Sequence, residues 1–153
     1  MPKFVSKEEL LGMAGWQAPP SEFLAVEQDR INVFGDVTED HQFIHTDPER
    51  AAKTPFGGTV AHGFLTLSLL PRLMREHSVV PEKLLMAVNY GLNKVRFLQP
   101  VRAGSRVRAH TKIKDVQEKD AGRVLVTVEV SVEIEGEKKP ALIAEMLALY
   151  VTD

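Results

Sequence analysis

The chain has 153 residues, 44% hydrophobic and 26% charged, which is ordinary for a soluble globular protein. Its formal net charge of −2 gives no electrostatic reason to expect nucleic acid or an anionic membrane as partner. The absence of cysteine excludes disulfides, thiolate metal sites and cysteine nucleophiles. No signal-peptide pattern and no apolar stretch of about 20 residues occurs, so we expect one domain over 1–153 in the cytoplasm.

The first third of the chain predicts short elements. Ser6 followed three residues later by Glu9 has the capping-box spacing, which indicates a helix through about Met13. Further elements are expected as a strand over 22–26, a helix over 28–37, and a helix that Asp47 caps with Pro48 in its first turn.

The longest apolar run predicts a buried helix over 62–77. Leucine, phenylalanine and methionine occupy nearly every face of this helix up to Arg72, which is typical of a helix inside a core. Pro71 lies within this run and is expected to kink the helix, because proline removes one backbone donor.

The second half of the chain predicts four long strands. They are expected over 84–98, with Gly91 as the point of interruption, and over 105–116, 123–135 and 141–151. An amphipathic antiparallel sheet must cover its apolar face, and the long helix is the obvious cover. We therefore predict an α+β protein with the hot-dog fold, an antiparallel sheet wrapped around one long central helix.

Charges alternate with apolar residues along two of these strands. The basic face of 106–114 is expected to pair with the acidic face of 129–135 as a solvated sheet surface. A coenzyme phosphate site is the alternative use of this basic face. Nucleic acid is not expected, because no aromatic residue interrupts the stripe.

A metal centre and a serine nucleophile are both disfavoured. His41 and His45 have the spacing of two ligands on one helical face, but the zinc-peptidase pattern requires glutamate where Gln42 stands. Ser68 lies in the apolar helix without a nucleophile elbow, and we expect its hydroxyl to bond to a carbonyl one turn back. We predict no metal site.

The pair Asp40 and His45 is the candidate acid/base group. Taken alone, the two residues are better explained by Asp40 capping a turn and His45 bonding to backbone. Gly63 opens the buried helix, whose first N–H groups have no internal partner and carry the positive end of the helix dipole. Together the three residues supply a base, an acid and an oxyanion donor for chemistry on a thioester.

Three blocks of sequence resemble the MaoC-like dehydratases, which include R-specific enoyl-CoA hydratases and the NodN-like branch. The first block runs FGDVTEDHQFIHTD over 34–47, the second GGTVAHGF over 57–64, and the third YGLNKVRF over 90–97, followed by Pro100-Val101 and Gly104. The resemblance covers roughly residue 22 to the C-terminus, and the first block is its most specific part.

The resemblance implies a hot-dog fold, a homodimer joined edge to edge, and reversible hydration of trans-2-enoyl thioesters to (3R)-3-hydroxyacyl thioesters. By position, Asp40 and His45 would be the catalytic dyad and Gly63 the oxyanion donor. No cofactor is implied, since coenzyme A or an acyl carrier belongs to the substrate. We assign to substrate binding the residues Gln42, His62, Ser68, Asn93, Lys94 and Arg96, the last three as candidate contacts to phosphates.

Two departures and two alternatives remain. Many members have Asn-Pro where this chain has Gln42-Phe43, and some have a serine where Pro71 stands, which bears on water placement and acyl-chain length. A hot-dog thioesterase and a non-catalytic acyl-binding protein are the competing functions. The two-block pattern of Asp…His and His-Gly argues against the thioesterase, and retention of both Asp40 and His45 argues against the non-catalytic protein.

Overall fold

The structure, a computed structural model, describes all residues 1–153. Its strands are β1 (Lys3–Val5), β2 (Leu24–Ala25), β3 (Val79–Pro81), β4 (Leu84–Phe97), β5 (Arg106–Asp120), β6 (Arg123–Ile134) and β7 (Leu142–Thr152). Its helices are α1 (Lys7–Leu11), α2 (Gln28–Thr38), α3 (Phe43–Thr46), α4 (Pro48–Ala52), α5 (Gly63–Ser68) and α6 (Leu70–Met74), with a 3₁₀ turn at Arg75–His77. None of the helices is long and apolar enough to span a membrane.

Five strands form one antiparallel sheet in the order β2-β5-β6-β7-β4. The four long predicted strands are confirmed as β4, β5, β6 and β7. Alternating residues of a strand share one face, so their apolar residues cover one side of the sheet. Gly91 does not interrupt β4; instead the register with β7 shifts on either side of it. β1 and β3 form a separate two-stranded parallel sheet.

The predicted central helix is present as α5, α6 and the 3₁₀ turn. It is interrupted at Leu69, two residues before Pro71, and resumes with the Leu73 N–H donating to the Leu69 carbonyl at 2.9 Å. The interruption agrees with the kink expected from proline, which has no N–H to continue the helical ladder.

The core lies between the central helix and the concave face of the sheet. The helix contributes Leu65, Leu69, Leu70 and Leu73, and the sheet contributes Val107, Ala109, Val130, Val132, Ile134, Leu142 and Ala144. A second cluster joins α1 to the far end of the sheet through Leu10, Met13, Ile113, Val124, Val126 and Tyr150. This wrapped arrangement is the predicted hot-dog fold.

One side of the helix is less buried than predicted. Phe64 is 69% exposed, because the sheet of a single chain covers only part of the helix. Strand β4, at the edge of the sheet, also exposes apolar side chains, among them Leu85, Met86, Val88, Tyr90 and Leu92. The two exposed regions border each other, since the ring of Phe64 meets that of Phe97 on β4.

Helix caps and ion pairs follow the predicted pattern. The Ser6 hydroxyl accepts from the Glu9 N–H, and the Asp47 carboxylate accepts from the Arg50 N–H, both at 3.1 Å. On the convex face of the sheet the ion pairs are Arg106–Glu135, Arg108–Glu133 and Lys114–Glu145. The basic stripe is therefore a paired, solvated face.

Candidate active site

Asp40 lies in the connection between α2 and α3, where the chain turns tightly. Glu39 ends α2 in the left-handed conformation, and the Asp40 N–H donates to the Gly35 carbonyl at 3.1 Å. A Cβ at Gly35 would lie 3.0 Å from the Asp40 carbonyl oxygen, so this approach requires glycine. The turn leaves the Asp40 carboxylate exposed at the surface of the site.

His45 lies in α3 and is only 8% exposed. Its Nδ1 lies 2.6 Å from the Val60 carbonyl oxygen, and because a carbonyl can only accept, Nδ1 carries the proton. Nε2 of the neutral ring is therefore left as a free acceptor. Burial lowers the pKa of His45 below its ordinary value of 6.5, which favours this neutral form.

His62 is buried beneath Asp40 and His45 and contacts both of them. It is 2% exposed, and its ring stacks on that of His45 with a centroid distance of 3.9 Å. Its Nε2–H donates to the backbone carbonyl of Asp40 at 2.9 Å, while its Nδ1 is buried without a partner. His62 thus contacts both members of the predicted dyad, and its assigned contact with substrate stays a prediction.

Asp40, His45 and His62 form one cluster, with a potential ligand atom of each within 4.8 Å of the others. The two imidazoles are stacked with an interplanar angle of 25°. The lone pair of an imidazole nitrogen lies in the plane of its ring. Because the two rings are stacked, their lone pairs lie in separate planes and do not point at a common metal ion. The cluster is better suited to proton transfer than to metal binding. His41, the other candidate ligand, pairs instead with Asp36 at 3.0 Å.

Gly63 begins the central helix directly after His62, which places its backbone beside the cluster. Its N–H donates to no group of the chain. A Cβ on Gly63 would lie 3.1 Å from the Phe97 ring, a contact tighter than is usual. An apolar cavity of about 260 Å³ adjoins Gly63 and extends past Phe97 to Phe56.

A hydrogen-bonded brace that the sequence did not reveal fixes the backbone around His45. Gln28, in the first turn of α2, donates through Nε2 to the His45 carbonyl at 2.7 Å. Its Oε1 accepts the Thr59 hydroxyl, and Thr59 immediately precedes Val60, the partner of the His45 ring. Gln28 and Thr59 are 31 residues apart, so only the fold brings them together.

Gln42-Phe43 fits the backbone that Asn-Pro would take. Gln42 has φ −54° and ψ 135°, a conformation that the residue before proline adopts readily. The Phe43 N–H donates to no group, so a proline there would cost no hydrogen bond. The Phe43 ring lies beneath the Arg50 guanidinium at 4.2 Å, and the Gln42 side chain remains free and exposed.

The other predicted binding residues lie further from the cluster. The Ser68 hydroxyl donates to the Phe64 carbonyl at 2.7 Å, as expected. Ser68 and Pro71 line a cavity of about 300 Å³ with Leu92 and Met146.

The three β4 candidates for phosphate contacts make sheet contacts in the structure. Asn93 lies where the register of β4 with β7 shifts, and Lys94 and Arg96 are paired in the sheet with Glu145 and Ile143, on the convex face. That face lies opposite the central helix, because the core residues Leu142 and Ala144 alternate with Ile143 and Glu145. Their contact with phosphates stays a prediction.

Comparison with known proteins identifies a matching domain family and several similar proteins. Residues 17–135 match the profile of the MaoC like domain. The chain is 48% identical over 151 residues to 3-hydroxyacyl-thioester dehydratase Z of Mycobacterium tuberculosis, with 99% of each chain covered. It is 46% identical to nodulation protein N of Rhizobium leguminosarum bv. viciae over 91% of this chain and 87% of that one. A monoamine oxidase regulatory protein from Archaeoglobus fulgius has a similar structure, with a TM-score of 0.81 and 26% identity, covering 100% and 97% of the two chains.

Proposed function

Because this chain belongs to the MaoC-like domain family, we propose that it catalyses the reversible dehydration of 3-hydroxyacyl thioesters, with (3R)-3-hydroxyacyl and trans-2-enoyl thioesters as its two substrates. The observation that carries this proposal is the cluster of Asp40 and His45, with ligand atoms within 4.8 Å of each other, beside the start of the central helix at Gly63, whose N–H has no partner in the chain. The sequence similarity to a 3-hydroxyacyl-thioester dehydratase supports the same reaction.

In the hydration direction, the dyad holds a water between the Asp40 carboxylate and Nε2 of His45. The water oxygen adds to C3 of the enoyl thioester while one member of the dyad takes its proton. The dyad then returns a proton to C2 on the same face, so that the hydroxyl added at C3 and the hydrogen added at C2 together account for one water molecule. Because Nδ1 of His45 is held by Val60, proton transfer at this ring takes place at Nε2.

Gly63 stabilises the charge that develops on the thioester oxygen. Its N–H has no partner in the chain and lies at the positive end of the central helix. A preorganised donor of this kind typically contributes a factor of about 10²–10³ in rate. The buried rings of His45 and His62 exclude water from the side of the site facing the core, which strengthens this interaction.

The cavity beside Ser68 and Pro71 is suited to the acyl chain. It begins one helical turn beyond Gly63, and its wall includes the apolar side chains of Leu67, Leu92 and Met146. Each buried methylene contributes about 0.8 kcal/mol, so the depth of this cavity sets the preference for chain length. Pro71 presents no hydroxyl here, which favours an unsubstituted alkyl chain.

A homodimer accounts for the exposed apolar surface. β4 is a 14-residue edge strand that exposes Met86, Val88 and Tyr90, and such an edge is a site for pairing with another chain. A second copy that pairs along β4 would extend the sheet and cover Phe64. Substituting Val88 by glutamate should yield monomers in analytical ultracentrifugation. The matched variant Val33→Glu, on the exposed face of α2, should leave the oligomer unchanged; a monomeric wild type would contradict this proposal.

The activity is tested with crotonyl-CoA and a thiol reagent in parallel. Loss of the enoyl absorbance with formation of (3R)-3-hydroxybutyryl-CoA and no free thiol supports the dehydratase. Release of coenzyme A without hydration would instead indicate the thioesterase. Binding without turnover of either kind would indicate an acyl-binding protein.

A further inference from the structure

Arg102 follows Val101, which lines the Gly63 cavity, and its guanidinium is held in place without a carboxylate. Its Nη2–H donates to the Gly57 carbonyl at 2.9 Å, and none of the ion pairs in the chain includes it. A guanidinium has five N–H donors, so four remain unused by the chain. Arginine is also the side chain best matched to the geometry of a phosphate group.

Two glycines bring the loop backbone against this guanidinium. Gly57 has a φ of +69°, which favours glycine, and a Cβ on Gly58 would lie only 2.9 Å from Nη2 of Arg102. The guanidinium therefore lies directly on the backbone of this loop. This contact restrains the exposed guanidinium before any ligand binds, which lowers the entropic cost of binding.

The position of Arg102 is tied to the candidate active site through the backbone. Arg102 pairs with Val60 in an antiparallel bridge, and Val60 holds the ring of His45. The neighbouring bonds, from Ala61 N–H to Val101 at 2.7 Å and from Ala103 N–H to Thr59 at 3.0 Å, complete this short ladder. A displacement of Arg102 is thus resisted by the same segment that positions the dyad.

A groove lies between Gly63 and the Gly57–Gly58 loop that holds Arg102. The lining of the cavity of about 260 Å³ includes Gly63, Phe97 and Phe56, and Phe56 adjoins the Gly57–Gly58 loop. Four residues separate Gly58 from Gly63, so the span between their Cα atoms is at most about 18 Å. A pantetheine arm, which joins the thioester sulfur to a phosphate, is comparable in length and combines methylene and methyl groups with two amides and a hydroxyl.

We propose that Arg102 binds the phosphate at the end of the pantetheine arm, the group that coenzyme A and acyl carrier proteins share. This inference rests on the proposed function and adds the position of the carrier to it. The acyl chain and the pantetheine arm then leave Gly63 in opposite directions, toward Pro71 and toward Phe56. The phosphate contact lies at Arg102 rather than at Lys94 or Arg96 on the convex face of the sheet.

The test compares three substrates that differ only in the carrier: crotonyl-CoA, crotonyl-4′-phosphopantetheine and crotonyl-pantetheine. For Arg102→Gln we expect kcat/KM to fall about 10- to 100-fold on the two phosphate-bearing substrates, mainly through KM, because hydrogen bonds to charged groups are lost. Hydration of crotonyl-pantetheine should be unchanged. Arg102→Lys should recover part of the loss, and Arg75→Gln, at the far end of the central helix, should match wild type on all three.

Two outcomes would overturn the proposal. An equal loss of kcat on all three substrates would mean that Arg102 only supports the glycine loop. A loss confined to crotonyl-CoA would place the contact at the adenosine end of coenzyme A instead. Failure of the wild-type protein to hydrate any of the substrates would contradict the proposed function itself, which separates the two hypotheses.

Discussion

His62 offers a test of how the dyad is positioned, because its two contacts can be removed separately. Replacing His62 with glutamine keeps an amide N–H near the position of Nε2, so the bond to the Asp40 carbonyl can persist while the stack on His45 is lost. Replacing His62 with phenylalanine keeps the stack and loses the donor. The two contacts measure 2.9 Å and 3.9 Å respectively.

The expected effects on stability are similar and small. A hydrogen bond of this kind contributes about 0.5–1.5 kcal/mol, and an aromatic pair contributes about 0.5–1.5 kcal/mol. Phenylalanine also removes the buried Nδ1 of His62 that has no partner, which offsets part of its loss. A change of about 1 kcal/mol shifts Tm by about 2–4 °C in a domain of this size, so both variants should remain folded.

The expected effects on activity differ. In His62→Phe the Asp40 backbone loses its anchor, and a misplacement of about 1 Å can reduce the rate about 100-fold. We therefore expect kcat for crotonyl-CoA hydration to fall much further in His62→Phe than in His62→Gln, with little change in KM. Phe34→Leu, which alters the other aromatic contact of the His62 ring, is the control. Equal kcat losses in the two His62 variants, at matched Tm, would refute the anchoring role.

Three further predictions concern the same site. Because burial lowers the pKa of His45, the acid limb of the kcat/KM profile should lie below pH 6.5, and an acid limb above 6.5 would contradict the assignment. The contribution of His45 to stability should be lost as pH falls below 6.5, since the unfolded chain then binds more protons than the folded one. Gly63→Ala should lower kcat about 10- to 100-fold, because the methyl group displaces substrate from the donor and crowds a ring 3.1 Å away, as single-turnover rates would reveal. Phe43→Pro should retain wild-type kcat and lose only about 0.5–1 kcal/mol of stability with the Arg50 contact, measured by urea unfolding; a large loss of activity would mean that Gln42-Phe43 retunes the site.

Much of the fold could be predicted because its determinants are local. The alternation of valines over 123–135 places one face of β6 in the core, and the caps at Ser6 and Asp47 are made within three residues. The cross-strand pair Arg108–Glu133 followed from the same alternation once the two strands were placed side by side. Family membership, suggested by three sequence blocks, is confirmed. The cytoplasmic location and the single-domain organisation stay predictions.

The parts that could not be predicted depend on contacts between distant segments. Gln28 is an unremarkable polar residue at the start of α2, yet it bonds to the His45 backbone and to Thr59. His62 is assigned to substrate binding from the sequence, but neither its stack on His45 nor its bond to Asp40 has a local signal. The exposure of Phe64 likewise depends on how far the sheet of one chain reaches around the helix.

The central claim is that Asp40 and His45 act together on a thioester held at Gly63, and Asp40→Asn tests it most directly. Asparagine preserves the shape of Asp40 and its backbone bonds to Gly35 and His62, but it removes the carboxylate. Hydration of crotonyl-CoA, followed by the loss of enoyl absorbance, should fall by at least about 100-fold while the unfolding temperature stays unchanged. Hydration at the wild-type rate by a folded Asp40→Asn protein would contradict the account.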